Sequence, residues 1–329
     1  MPMQRDSLFH IIEKIGLRAE VQNCHPHRFR HTFAIQFLRN GGNIYTCLSL
    51  IHIFANVVLL IVVAHSWFNH GPRSFRAQFE RDKAVGLARS IDTATVTEAD
   101  LAHLPGPVQR YLRVTGVMGR PRVQNYRLRF QGRIRSGPDA AWMPFDAEQL
   151  SFTDQPTRLF FMHARMFMVP VEVFHRRIGG HATMQVKIVG AIPMVDARGD
   201  DMDRAEAVTL FNDMCLLAPG TLVDPAIAWE PVDAHTARAR FTDGSTTIAA
   251  TLQFNDEGLL TNFISDDRSR SSPDGKSFTR LRFSTPVRDY RDFGGMYLAA
   301  HGDARWRLPE GEFTYGEFNL QQIEYNVRH

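Results

Sequence analysis

The sequence predicts an α+β protein: an N-terminal helical fragment, one transmembrane helix, then a curved antiparallel β-sheet, half-barrel-like, with a few covering helices. Three observations predict it. Residues 44–72 contain no Asp, Glu, Lys or Arg. From Val123 onward apolar residues recur at period two, the period of a strand. Glycine-bearing turn signals then punctuate residues 243–311, and successive hairpins make consecutive strands antiparallel neighbours. The expected divisions are 1–46, 47–70, 71–120 and 121–329.

Composition sets the outer bounds. The 329 residues are 44% hydrophobic and 22% charged, which excludes a disordered, collagen-like or multi-span membrane chain. Net charge is +3. All of it arises in residues 1–43, which carry six cationic and three acidic side chains; the remainder is neutral, with 32 of each sign. Nucleic-acid binding by the main domain is therefore not expected. The three cysteines, Cys24, Cys47 and Cys215, form no CxxC pair and no zinc spacing, so neither a disulfide framework nor a metal site is expected.

Residues 44–64 read IYTCLSLIHIFANVVLLIVVA. That length matches the ~20 residues a helix needs to cross a bilayer. His52 and Asn56 are polar exceptions on one helix face, and Trp67 stands where an interfacial aromatic is common. A cleaved signal peptide would carry a shorter apolar region near the chain terminus, whereas this run begins more than forty residues in. The expectation is an uncleaved single-pass anchor in a bacterial cytoplasmic membrane. Flanking arginines do not decide orientation, and the β-rich domain is placed outside the cytoplasm.

Upstream, residues 24–46 read CHPHRFRHTFAIQFLRNGGNIYT. This closely resembles the box of tyrosine recombinases (phage-type integrases) that carries the His-x-x-Arg pair, here His27 and Arg30. The resemblance implies DNA integration and recombination chemistry, in which Arg and His donors stabilise charge on a phosphorane-like transition state. The departures are decisive. No Leu-Gly-His segment follows, the first tyrosine beyond the box region is Tyr111, and no upstream arginine box precedes it. Without its nucleophile the fragment is expected to be inactive, with His27 and Arg30 vestigial. An in-frame fusion and a misassigned start codon both account for it.

The remaining elements follow in order. Phe75 and Phe79 stand at helical spacing within residues 74–90, a short amphipathic helix. Thr97 with Asp100 three residues on is a helix-start pattern. Pro107 opens a second helix that stops at Gly116. Tyr126, Leu128 and Phe130 then alternate with polar residues. Strand-like runs cover 142–152, 158–168, 171–177 and 184–189. One helix interrupts them at 203–217, closed by Pro219-Gly220. After it, turns fall at Asp243-Gly244, Asp256-Glu257-Gly258, Asp274-Gly275, Gly294-Gly295 and Glu310-Gly311, where Gly supplies the positive φ of tight hairpins.

Residues 97–329 also resemble a bacterial family of unknown function, widespread as single-span membrane proteins. The stretches that carry this are Trp142-Met143-Pro144-Phe145, Asp196-Ala197-Arg198-Gly199, Asn212-Asp213-Met214 and Trp229 with Asp233. The resemblance implies an anchored extracytoplasmic body and no established activity.

Candidate site residues are few. No GxSxG, HExxH or GxGxxG string is present. The Asp200-Asp201-Met202-Asp203 cluster reads as a helix N-terminus ahead of a cation site. Met162, Met166 and Phe167 lie in soft apolar strands suited to varied apolar ligands. Asn212 and Asp213 stand mid-helix among apolar neighbours, with Arg198 or Arg165 as partners if Asp213 turns inward. The leading expectation is a membrane-anchored binding protein for an apolar or lipid ligand, without cofactor. The alternative is an envelope hydrolase with Asp213 or Asp196 as general base.

Overall fold

Strand formation begins where the sequence turns to period two. In the computed structural model, which describes residues 26–41, 44–91, 94–167 and 169–328, Tyr126 and Leu128 are buried while Arg129 is exposed. The chain resolves into two compact units, Met1–Ser66 and Trp67–His329.

The first unit is helical where described. Helix α1 spans Pro26–Arg39 and α2 begins at Ile44, running to His70. The recombinase-like positions His27 and Arg30 fall on α1, with side chains outside the described residues. In α2 the side chains of residues 52–60 are all exposed, Phe54 at 71%. Among the described residues no helix is long and apolar enough to cross a membrane. The transmembrane helix expected over 47–70 is thus not carried by the described side chains.

In the second unit, helices α3 (Phe75–Leu87), α4 (Glu98–Leu101) and α5 (Gly106–Val114) precede the sheet. Ser74 caps α3 by accepting the Ala77 N–H. Thr97 and Asp100 form the reciprocal box at α4, and proline stands in the first turn of α5. Val108, Tyr111 and Leu112 on α5 are fully buried. The Tyr111 hydroxyl donates to the Cys215 carbonyl at 2.9 Å, which ties α5 to the central helix.

Six strands follow: β1 (Asn125–Ile134), β2 (Met143–Phe152), β3 (Thr157–Met166), β4 (Val169–Ile178), β5 (His181–Ile188) and β6 (Ile192–Ala197). Helix α6 (Asp200–Leu217) and a 3-10 turn, Pro219–Val223, lead to β7 (Ile227–Pro231), β8 (Thr236–Asp243), β9 (Thr246–Phe254) and β10 (Leu260–Ser265). A small hairpin, β11 (Ser269–Ser271) with β12 (Phe278–Arg280), precedes β13 (Phe283–Asp292), β14 (Tyr297–Leu308) and β15 (Gly311–Tyr325). The predicted turn signals close hairpins, with Gly244 at φ 59° between β8 and β9 and Gly258 at φ 82° between β9 and β10.

All but the β11–β12 hairpin join one antiparallel sheet of 13 strands in the order β6-β5-β4-β3-β2-β1-β15-β14-β13-β10-β9-β8-β7. The single meander that the turns predict is therefore two meanders joined at β1 and β15. Helix α6 carries the chain from one outer strand, β6, to the other, β7.

Curvature follows from one contact. Arg177 on β4 and Asp243 on β8 are separated by eight strands, yet their side chains form a buried ion pair at 2.5 Å. In a flat sheet those strands would lie roughly 40 Å apart. The sheet must curl until its arms meet, which is the expected half-barrel carried nearly to closure. Inside it α6 is buried on every side, from Ala205 through Leu217 without a break. A helix buried all round needs the sheet to surround it and partners for the polar side chains it carries.

Candidate functional site

The site lies on the concave side of the sheet, where α6 leaves space unfilled. A cavity of about 380 Å³ opens there, with a mainly apolar lining. Strand alternation positions its wall. On β3, Phe160 and Met162 face the cavity, while Leu159 and Phe161 face outward against Phe75 and Phe79 of α3. Both faces of β3 are thus covered, which explains its unbroken apolar run. Phe130 on β1, Trp306 on β14, and Phe313, Tyr315 and Phe318 on β15 supply aromatic wall.

Two groups of polar side chains interrupt this wall. The first is self-satisfied. Arg158 of β3 is 6% exposed. It donates to Asp213 Oδ2 at 2.7 Å, Glu206 Oε2 at 3.1 Å and Gln149 Oε1 at 3.1 Å. Gln149 Nε2 donates to Asp213 Oδ2 at 2.8 Å and to Ser151 Oγ at 3.0 Å. His175 Nδ1 lies 2.8 Å from Glu206 Oε1. Burial by itself would raise the Glu206 pKa, but His175 and Arg158 outweigh it and hold the carboxyl well below its usual range. Burial would likewise lower the Arg158 pKa, and the two carboxylates reverse that effect. Glu206 and Asp213 stand seven residues apart, two turns along α6, so one arginine reaches both.

The second group is open. Arg268, just before β11, packs its guanidinium over Phe283 at 4.1 Å and Trp306 at 5.1 Å, and donates to the Tyr315 hydroxyl at 2.7 Å. Its Nε is buried without a hydrogen-bond partner. Arg270 donates to the Ser136 carbonyl, and Arg135 to the Thr314 and Pro138 carbonyls. All three line the cavity.

The structure brings three of the six predicted ligand-binding residues to the cavity: Met162, Asn212 and Asp213. The other three are corrected. Met166 and Phe167 sit at the tip of the β3–β4 hairpin, where Phe167 adopts φ 58° and is 89% exposed, because the strand leaves the cavity before it turns. Arg198 does not meet Asp213. It pairs with Asp196 at 2.7 Å two residues away, both side chains at least half exposed. Arg165 is exposed as well. The carboxylate that Asp213 was expected to offer as a base accepts two hydrogen bonds on Oδ2, and Asp196 is not among the lining residues.

Sequence reasoning missed Arg158, Glu206, His175, Gln149 and Arg268. Arg158 and Arg268 stood in strand-like or turn segments as ordinary polar positions, and only the curl of the sheet makes them inward. A charged residue at an inward register position between Leu159 and the turn at 153–156 was the one signal for Arg158. The acidic cluster opens α6 as expected, and its partners are specific: Asp203 accepts the Ala182 N–H and Asp201 accepts from Ser269 Oγ at 2.9 Å. Among the described residues no group of three or more His, Cys, Asp or Glu could hold a metal ion.

Fold and cavity define a class: a curved antiparallel sheet wrapped on a buried helix, enclosing an apolar pocket with a charged cluster. The family of unknown function DUF6544 matches residues 94–318, and the chain belongs to it. No curated protein matches the sequence. Among solved structures, the chain is similar to a DUF1329 family protein from Desulfovibrio piger, with 12% identity, a TM-score of 0.37, and 71% of this chain and 95% of that one covered. A LolA superfamily protein from Nitrosomonas europaea is similar at 11% identity and a TM-score of 0.38, with 71% and 95% covered. At those scores neither likeness bears on what this cavity holds.

Proposed function

We propose that the protein is a membrane-anchored, extracytoplasmic binding protein whose curved sheet holds an apolar or lipid ligand. One observation carries this reading: a mainly apolar cavity of about 380 Å³, of ligand-pocket size, walled by aromatic and methionine side chains. A core needing only to be stable would fill such a space, since packing to normal density stabilises it.

The anchor rests on the apolar run at residues 44–64. An apolar rim supports membrane proximity. Phe167, Met166, Ile192 and Met194 are exposed together on the β3–β4 and β5–β6 hairpin segments. Residues 1–46 are read as an inactive recombinase remnant; incubation with supercoiled DNA should give no covalent protein–DNA adduct.

The test is lipid analysis of the full-length chain purified in a sterol-based non-ionic detergent. Mass spectrometry should find alkyl-chain lipid retained at close to one equivalent. Substituting Met162 with Trp, which fills the cavity, should reduce it several-fold while the protein stays folded. Retention unchanged by M162W would sink the reading. Alkaline carbonate should leave the protein in the membrane fraction.

A further inference from the structure

We infer that the cavity selects an anionic amphiphile, one alkyl chain with a carboxylate or phosphate head, and that Arg268 receives the head. This rests on the proposed binding reading and adds the charge of the ligand to it.

The two polar groups of the cavity differ in charge closure. Arg158 is neutralised by Glu206 and Asp213, and its guanidinium makes three side-chain hydrogen bonds. Arg268 lines the same cavity but forms no ion pair among the described residues; its hydrogen-bonded partner is a neutral phenol. Its Nε, buried, has no acceptor at all. Stacking on Phe283 and Trp306 holds the guanidinium plane in place and compensates part of its charge, yet leaves N–H donors unused. Arg270 and Arg135 stand along the same aromatic edge, over Phe313 at 5.6 and 5.1 Å, with only carbonyl acceptors.

Four arginines and two carboxylates therefore line the cavity, an excess of cations in an apolar space. Two residues along β13 from Phe283, the Thr285 hydroxyl is also buried without a partner. A half-buried cation whose Nε is buried with no acceptor is costly, and a ligand anion removes that cost through charge-assisted hydrogen bonds. A neutral alkyl ligand would leave it in place. A cationic one would add to it.

The full-length chain in the same detergent can be titrated with 12-bromododecanoate, whose bromine quenches Trp306 at the cavity wall, followed by displacement with dodecyl phosphate and with 1-dodecanol. Dodecanoate or dodecyl phosphate should bind at least tenfold more tightly than dodecanol, and the tighter of the two identifies the head. Arg268→Gln should abolish that preference, and Arg268→Lys should keep much of it. Equal binding of dodecanol and dodecanoate to the wild type, or a preference untouched by R268Q, overturns the inference and leaves the binding reading intact. If no alkyl ligand binds, both fall.

Discussion

Glu172 and Glu206 are both buried carboxyls, yet their neighbours send them in opposite directions. Glu172 on β4 is 4% exposed and its Oε2 has no hydrogen-bond partner. Burial raises its pKa, and Lys187 only partly offsets this. A raised folded-state value means that the ionised form costs stability above it and that the cost vanishes as pH falls through it. Glu172→Gln should therefore raise Tm at pH 7, and the gain should shrink to nothing in acid. Glu206 is the reverse case. Its folded value lies below the ordinary 4.5, so its contribution is present above that value and is lost as pH falls further. Removing its partner by Arg158→Met leaves Asp213 without a counter-cation and Glu206 with His175 alone, and should cost about 3–5 kcal/mol in urea unfolding. The triple change R158M/E206Q/D213N should recover most of that loss, because the uncompensated charge is the cause.

At the level of elements, the outer helix α3 is set by close packing on the sheet. A Cβ added at Gly86 would fall 2.2 Å from the Phe152 ring of β2. Gly86→Ala must push α3 away from β2, with a cost of about 1–3 kcal/mol. Limited proteolysis should then cut within residues 75–90 faster than in the wild type, with the sheet still folded. Helix α6 shows a different constraint. Its acidic first turn, read from the sequence as a helix start, also binds neighbours through Asp201 and Asp203. Those bonds join the β11 hairpin and the start of β5 to the helix that floors the cavity.

For the whole molecule, the Arg177–Asp243 pair links arms of the sheet that lie far apart in strand order. Asp243→Asn strands a fully buried guanidinium and should cost several kcal/mol, on the order of 3–5. Hydrogen exchange should then quicken first in the outer strands β7 and β8 and in β5 and β6. Strands β1 and β15, at the middle of the sheet, should stay protected.

Period-two alternation, the Thr97–Asp100 box, Pro107 and the glycine turns were enough to place most strands and the helices of residues 75–217, since these signals act within a few residues of chain. They also gave the curved antiparallel sheet. Met162 was legible from its soft apolar strand, and Asn212 and Asp213 as polar residues among apolar helix neighbours. Three things required tertiary structure: the joining of β1 to β15, the inward turn of Arg158 and Arg268, and the exposure of Phe167 and Arg198. Alternation says which residues share a face but not which face is concave. That is decided only when thirteen strands close around α6, a contact between residues far apart in sequence that no local pattern encodes.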